Sequence, residues 1–265
     1  MKILGILNVT EDSFSDGGKF LAPEAAIAQA DKLMADGAGG IDIGAASSNP
    51  SAKAVPPEEE IARLAAVLPA LQAKGIPISV DSFAPEVQRW ALAQGVAYLN
   101  DIHGFPDATL YPALASSDCK LIVMHMVQAE GVAVRTEIPP TEIFDRVTAF
   151  FDARIAALTD AGIARDRIIL DPGMGQFVGA DPENSLILLR RLPELKARYG
   201  LPLLISVSRK GFLRKLTGQP IEKIGPATLA AEMAAAHQGA DIIRTHDVAA
   251  LRDGLKVLES LQETR

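Results

Sequence analysis

Along the chain, a short and continuously apolar run finishes in polar residues, a longer segment of helical period follows, and the alternation recurs eight times. The runs are Ile3–Val9, Ile41–Ala45, Ile76–Val80, Ala97–Asn100, Lys120–His125, Ile168–Asp171, Leu203–Val207 and Ile242–Thr245. Segments this short, without polar alternation, suit a parallel sheet covered on both faces. Between them, Pro23–Asp36, Pro85–Gly95, Thr141–Gly162, Pro182–Gly200, Thr228–Gly239 and Ala249–Gln262 carry helical spacing. Pro56-Pro57-Glu58-Glu59-Glu60 opens a further helix with proline and acids, as the macrodipole favours, and Lys74-Gly75 closes it. Eight such units in 265 residues predict one α/β domain, a (β/α)8 barrel over 1–265, rather than an open doubly wound sheet.

A barrel of this kind works at the C-terminal ends of its strands. There the chain delivers Asn8, then Asp42 with Ser47-Ser48-Asn49, then Asp81, Asn100-Asp101, His125, Asp171, Ser208-Arg209-Lys210 and Arg244-Thr245-His246. Any one of these could simply cap the next helix; eight at one rim point to a site. Converging carboxylates and carboxamides suit a heterocycle with a row of N–H donors, because a carboxylate accepts two parallel N–H bonds. Arg209, Lys210, Arg244 and His246 suit an anionic group. The chain contains no nucleophile elbow, no P-loop and no histidine-rich metal spacing, so positional and electrostatic catalysis is expected rather than covalent chemistry.

Composition narrows this only a little. With 48% hydrophobic and 5% aromatic residues, the core is expected to be aliphatic. A net charge of −7, with the signs interleaved, argues against nucleic acid or an anionic membrane as partner. No run is long enough for a membrane span, and the apolar start reads as a first strand rather than a signal peptide. The single cysteine, Cys119, forms no internal disulfide, reads as a buried thiol and fits a cytoplasmic enzyme. The stretch Val127–Pro140 reads equally as a solvated connector or a mobile lid.

Gly5-Ile6-Leu7-Asn8-Val9-Thr10-Glu11-Asp12-Ser13-Phe14-Ser15-Asp16-Gly17-Gly18 resembles the first signature of the dihydropteroate synthase family, with Glu11 where proline is usual. Asp171-Pro172-Gly173, Ser208-Arg209-Lys210 and Arg244-Thr245-His246-Asp247-Val248 resemble its later signatures in the same order. The resemblance implies condensation of 6-hydroxymethyl-7,8-dihydropterin pyrophosphate with p-aminobenzoate, with Mg²⁺ as cofactor and a homodimer as assembly. It implies that Asp81, Asn100, Asp171 and Lys210 hold the pterin and that Asn8 coordinates Mg²⁺. Arg244 and His246 would grip pyrophosphate, and Ser48, Pro50, Ser208 and Lys210 would lie near p-aminobenzoate. Asp12 would sit on a closing loop, and Asp42 would support the reaction centre. Outward apolar residues such as Leu229, Met233, Leu255 and Leu258 permit a dimer, although packing on the barrel accounts for them equally.

Two segments depart from the family pattern. Gly44-Ala45-Ala46-Ser47-Ser48-Asn49-Pro50-Ser51 lacks the usual arginine, which has become Asn49. Gly173-Met174-Gly175-Gln176-Phe177-Val178-Gly179-Ala180 is longer than the common form and puts Phe177 near the expected p-aminobenzoate mouth. Both resemble the sulfonamide-insensitive branch of the family. A methyltetrahydrofolate methyltransferase-type pterin barrel and a non-catalytic pterin-binding homologue remain as alternatives.

Overall fold

The computed structural model describes residues 1–10, 23–46, 54–128, 131 and 136–262. Eight strands form: β1 (Lys2–Asn8), β2 (Gly40–Gly44), β3 (Ile78–Asp81), β4 (Tyr98–Asp101), β5 (Lys120–Met124), β6 (Ile168–Asp171), β7 (Leu204–Ile205) and β8 (Ile242–Thr245). All the pairings are parallel, in the order β6-β5-β4-β3-β2-β1-β8-β7. One parallel bridge, Leu170 to Leu203, joins β6 to the start of the seventh strand and closes the barrel. Each run expected from the hydrophobic pattern is present, and β7 is cut to two residues.

Period-two alternation then decides which side chains enter the barrel. Leu4, Tyr98, Ile122, Ile169, Leu204 and Ile242 form an interior layer. Their neighbours along the strands, among them Ile41, Ile43, Val80, Leu99, Leu170 and Ile243, pack outward beneath the helices. The same register points Asp42, Asp81, Asn100, Asp171 and Arg244 inward above that layer. It turns Thr245 outward, towards the helical shell.

The helices are α1 (Pro23–Ala35), α2 (Pro57–Ala65), α3 (Leu68–Ala73), α4 (Pro85–Ala93), α5 (Tyr111–Ala115), α6 (Ile143–Asp160), α7 (Pro182–Arg190), α8 (Leu192–Tyr199), α9 (Gly211–Thr217), α10 (Gly225–His237) and α11 (Val248–Gln262). Two segments expected to be single helices are broken. Pro69 divides α2 from α3 and Pro193 divides α7 from α8, because each proline lacks a backbone donor and clashes with the preceding turn. The short α5 and α9 carry too few turns to show a period in the sequence.

Leu229 and Met233 of α10 face Gly254 of α11, where an added Cβ would lie 2.9 Å from the Met233 sulfur. Leu255 is buried in the main core. Packing within the molecule therefore accounts for Leu229, Met233 and Leu255, three of the residues that the sequence left open to a dimer. Cys119 is buried, and burial pushes its thiol up to about 12, leaving it protonated.

Candidate active site

The inward residues converge at the C-terminal end of the barrel. Asn8 and Asp81 both lie level with Gly44, whose missing side chain leaves the space between them open, and Asp81 is level with Asn100. Asp42 has no exposed surface, and Asn100 and Asp171 are nearly as buried. The Oδ1 atoms of Asp42 and Asn100 have no partner, so acceptors in the floor of the site await hydrogen-bond donors.

Arg244, expected from the sequence to serve an anionic group, lies among the acids. Its Nε donates to Asp42 Oδ2, and its Nη2 donates to Asp81 Oδ2 at 2.6 Å. Burial opposes its charge, but the surrounding carboxylates more than compensate and hold the guanidinium protonated. Burial lifts Asp81 to about 7 against the pull of Arg244. Burial likewise lifts Asp171 to about 6, although its Oδ1 accepts from the Gly173 N–H at 2.8 Å. That turn requires glycine: Gly173 has φ +75°, and a Cβ there would meet the His125 carbonyl at 2.3 Å.

Lys210 caps the start of α9 after Arg209, a non-glycine residue at φ 58°. The turn leaves Arg209 exposed, with its N–H donating to Thr228 Oγ1 at 3.3 Å. Lys210 Nζ sits 4.4 Å from the centre of the Phe177 ring, a cation–π contact. Burial, followed by the charge of Arg244, lowers Lys210 to about 8. Phe177 itself is only 4% exposed and packs with Ile102, Met124, Met126 and Phe83. Its segment is pinned on both sides. The Phe177 carbonyl accepts from Val127 N–H at 2.9 Å, and buried Asn184 donates to the carbonyls of Val178 and Ile138. A cavity of about 570 Å³ opens between this turn and α9, with Phe212, Arg214 and Lys215 on its wall.

His246 has Nδ1 2.9 Å from Ser208 Oγ, which also accepts from the His246 backbone N–H at 3.2 Å. Burial and the nearby Arg209, Arg244 and Lys210 push the ring down to about 3. His246 is therefore neutral near pH 7 and offers an N–H rather than the positive charge that the sequence suggested.

Two rim residues have structural work instead. Asp101 accepts from Gln88 Nε2 at 2.8 Å and from the N–H groups of His103 and Phe105 at 2.7 and 3.1 Å, which fixes the turn after β4. His125 is buried with Nδ1 3.2 Å from the Pro172 carbonyl, and burial holds it neutral at about 4. Asp12, Ser48 and Pro50 lie outside the described residues, as do Ser47 and Asn49. Sequence inspection passed over Glu232 of α10, although Thr228, Glu232 and Ala235 fall on one buried face at helical spacing.

A family model described as pterin binding enzyme matches residues 4–246. Dihydropteroate synthase type-2 of Escherichia coli is 63% identical over 262 residues, covering 99% of this chain and 96% of that protein. The chain belongs to the dihydropteroate synthases. Type-3 of Escherichia coli is 52% identical, covering 98% of this chain and 99% of its own length. The solved dihydropteroate synthase of Xanthomonas albilineans with 4-aminobenzoic acid superposes with TM-score 0.89 at 38% identity, over 100% of this chain and 94% of that one. The synthase is thus a transferase of folate biosynthesis, built on the barrel its sequence pattern implied. Membership sets aside the methyltransferase-type barrel.

Proposed function

We propose that this synthase binds the pterin on Asp81, Asn100, Asp171 and Lys210 and holds the pyrophosphate with Arg244 and His246. The arrangement that supports this assignment is the cluster of buried Asp42 and Asp171 and half-buried Asp81 around one guanidinium, with Lys210 beside them. Asp171 takes the amino-pyrimidine edge through two N–H bonds, and Arg244 exchanges its carboxylate partners for the incoming substrate. Scission of the pterin methylene C–O bond expels pyrophosphate and leaves a cation. Arg244 and a neutral His246 N–H stabilise the departing anion, while Asp42 stabilises the cation. The arylamine of p-aminobenzoate then attacks, close to Ser208, Lys210 and, in this proposal, Ser48 and Pro50. Its nitrogen becomes acidic on bonding to carbon, so no dedicated base is required. Asp12 is assigned to the loop that closes over the site. Pyrophosphate release that requires both substrates tests the assignment; pterin binding without release would mark a non-catalytic homologue.

Mg²⁺ fits as a cofactor that arrives with the substrate. Among the described residues no three His, Cys, Asp or Glu side chains form a metal cage. Asn8 is exposed at the end of β1 and supplies one hard oxygen, which suits an ion that keeps water and phosphate oxygens as its other ligands. When bound, Mg²⁺ would neutralise charge on the leaving pyrophosphate. An Asn8→Ala variant is expected to need about tenfold more Mg²⁺ for half-maximal turnover, a weakening of the size lost with one supporting metal contact. An unchanged Mg²⁺ titration would remove Asn8 from the metal site.

Sulfonamide insensitivity follows from Phe177. Its ring is held from behind by Ile102, Met124 and Met126 and cannot swing aside for a bulky sulfonyl substituent. Phe177→Gly is expected to tighten inhibition by sulfamethoxazole more than tenfold, and Phe177→Leu to do so less while keeping the apolar packing. Equal inhibition constants in wild type and both variants would reject the steric account. The homodimer and the cytoplasmic location remain part of the same reading. No described helix is long and apolar enough to cross a membrane. Exposed Leu216, Ile221 and Val257 lie on or near the last three helices, and a monomeric mass by light scattering would end the dimer proposal.

A further inference from the structure

Glu232 lies outside the barrel wall, 1% exposed, on the buried face of α10. Its Oε1 has no hydrogen-bond partner, and the fully buried Thr245 hydroxyl is the neighbour that draws its pKa down. Thr245 Oγ1 is 3.4 Å from Ser208 Oγ, and Ser208 Oγ is 2.9 Å from His246 Nδ1. A polar row, Glu232, Thr245, Ser208 and His246, therefore leads from the helical shell to the active-site rim.

We propose that Glu232 is a positioning residue that, through the Thr245 and Ser208 hydroxyls, sets which ring nitrogen of His246 carries the proton. Each hydroxyl has one proton to give. Thr245 Oγ1 already accepts from the Asp247 N–H at 3.2 Å, and Ser208 Oγ from the His246 N–H. Protonated Glu232 donates to Thr245, Thr245 donates to Ser208, and Ser208 donates to Nδ1, so the ring proton sits on Nε2. Ionised Glu232 takes the Thr245 proton instead. Ser208 then donates back to Thr245 and must accept from Nδ1–H, which leaves Nε2 as a bare acceptor. No proton is gained or lost by the ring; it moves between the two nitrogens.

Burial raises Glu232 to about 7, the Thr245 hydrogen bond draws it down and Asp247 adds to the rise. A cavity of about 390 Å³ beside it, lined by Arg209, Glu222 and Asp247 as well as Ser208 and Thr228, gives water access for exchange. Burial, with the charges of Arg209, Arg244 and Lys210, keeps the His246 ring neutral in either state. The consequence for pyrophosphate rests on the role proposed for His246, since only the Nε2–H form donates to an anion. The tautomer itself is read in the free enzyme and stands apart from that role.

The test is ¹⁵N NMR of histidine-labelled free protein between pH 5.5 and 8.5, with the His246 signals assigned by a His246→Asn sample. The expected result is an exchange of the Nδ1 and Nε2 shift patterns as pH rises through about 7 in the wild type. Glu232→Gln, which cannot ionise, holds one pattern throughout, and Thr245→Val, which has no hydroxyl, also abolishes the exchange. A single wild-type tautomer across the range would overturn the proposal. So would an exchange that persists unchanged in both variants.

Discussion

Asp171→Asn is expected to fold normally and to lose roughly three orders of magnitude in kcat/KM for the pterin pyrophosphate. The carboxamide oxygen can still accept the Gly173 N–H, which at 2.8 Å anchors the turn after β6, so the barrel has no reason to distort. What it loses is the charge, together with the second acceptor that an amino-pyrimidine edge requires. Hydrogen bonds to charged groups contribute about 1.5–3 kcal/mol each, so two amount to about 3–6 kcal/mol, or roughly two to four decades in rate. The same logic fixes a pH limb. Burial holds Asp171 at about 6, and the protonated acid cannot accept both N–H groups, so wild-type kcat/KM falls as pH drops through that value. In the variant this limb disappears along with most of the activity. Turnover within tenfold of wild type would show that Asp171 does not hold the pterin.

Arg244→Ala carries the second large effect, and it reaches stability as well as turnover. Arg244 is the partner of two carboxylates at once, and Asp42 has no exposed surface from which to recruit water. Removing one member of a buried ion pair costs about 3–5 kcal/mol, because the partner's charge is left uncompensated. A melting point roughly 10 °C lower follows for a domain of this size. The loss is pH-dependent with a defined sign. Without Arg244 the folded-state pKa of Asp81 rises further above its unfolded value, so the native state binds more protons in the window between the two. Stability of the variant then increases as pH falls from about 8 towards 5, narrowing the gap to wild type. Melting curves at both ends of that range check this. A gap constant with pH would mean that Arg244 contributes packing rather than charge. Arg244→Lys is expected to recover only part of both effects, since a point charge cannot serve Asp42 and Asp81 through the fixed fork of a guanidinium.

Much of this was legible in the sequence because a parallel barrel writes two simple signals. Apolar runs marked all eight strands, and the polar residues that follow them marked Asp42, Asn100, Asp171 and Arg244 as rim candidates, although only the strand register showed that they face inward. The signal failed where local chemistry interrupts a period. Pro69 and Pro193 each sit inside a segment whose hydrophobic spacing continues past them, so each pair of helices read as one. Charge partners were less legible still. Arg244 is separated from Asp81 by 163 positions, and its pairing depends on side-chain reach across the barrel rather than on any spacing along the chain. Phe177 was visible as a feature of its loop, but the Ile102, Met124 and Met126 wall behind it comes from two other strand ends. Glu232 was hidden among the alanines of α10, where a single acid on a buried face reads as surface unless its period is counted.

The seam of the barrel has a consequence for how the pocket can change over generations. With β7 only two residues long and tied to β6 by one bridge, the turns after β6 and β7 flank a seam with almost no ladder of its own, while β6 keeps its register through β5. Residues added at the seam disturb one bridge and a two-residue strand, whereas an insertion above β2 is flanked by full ladders on both sides. If Phe177 borders p-aminobenzoate as proposed, that wall is the part of this enzyme that selection can lengthen most readily, and a drug that depends on it meets the most adaptable stretch of the protein.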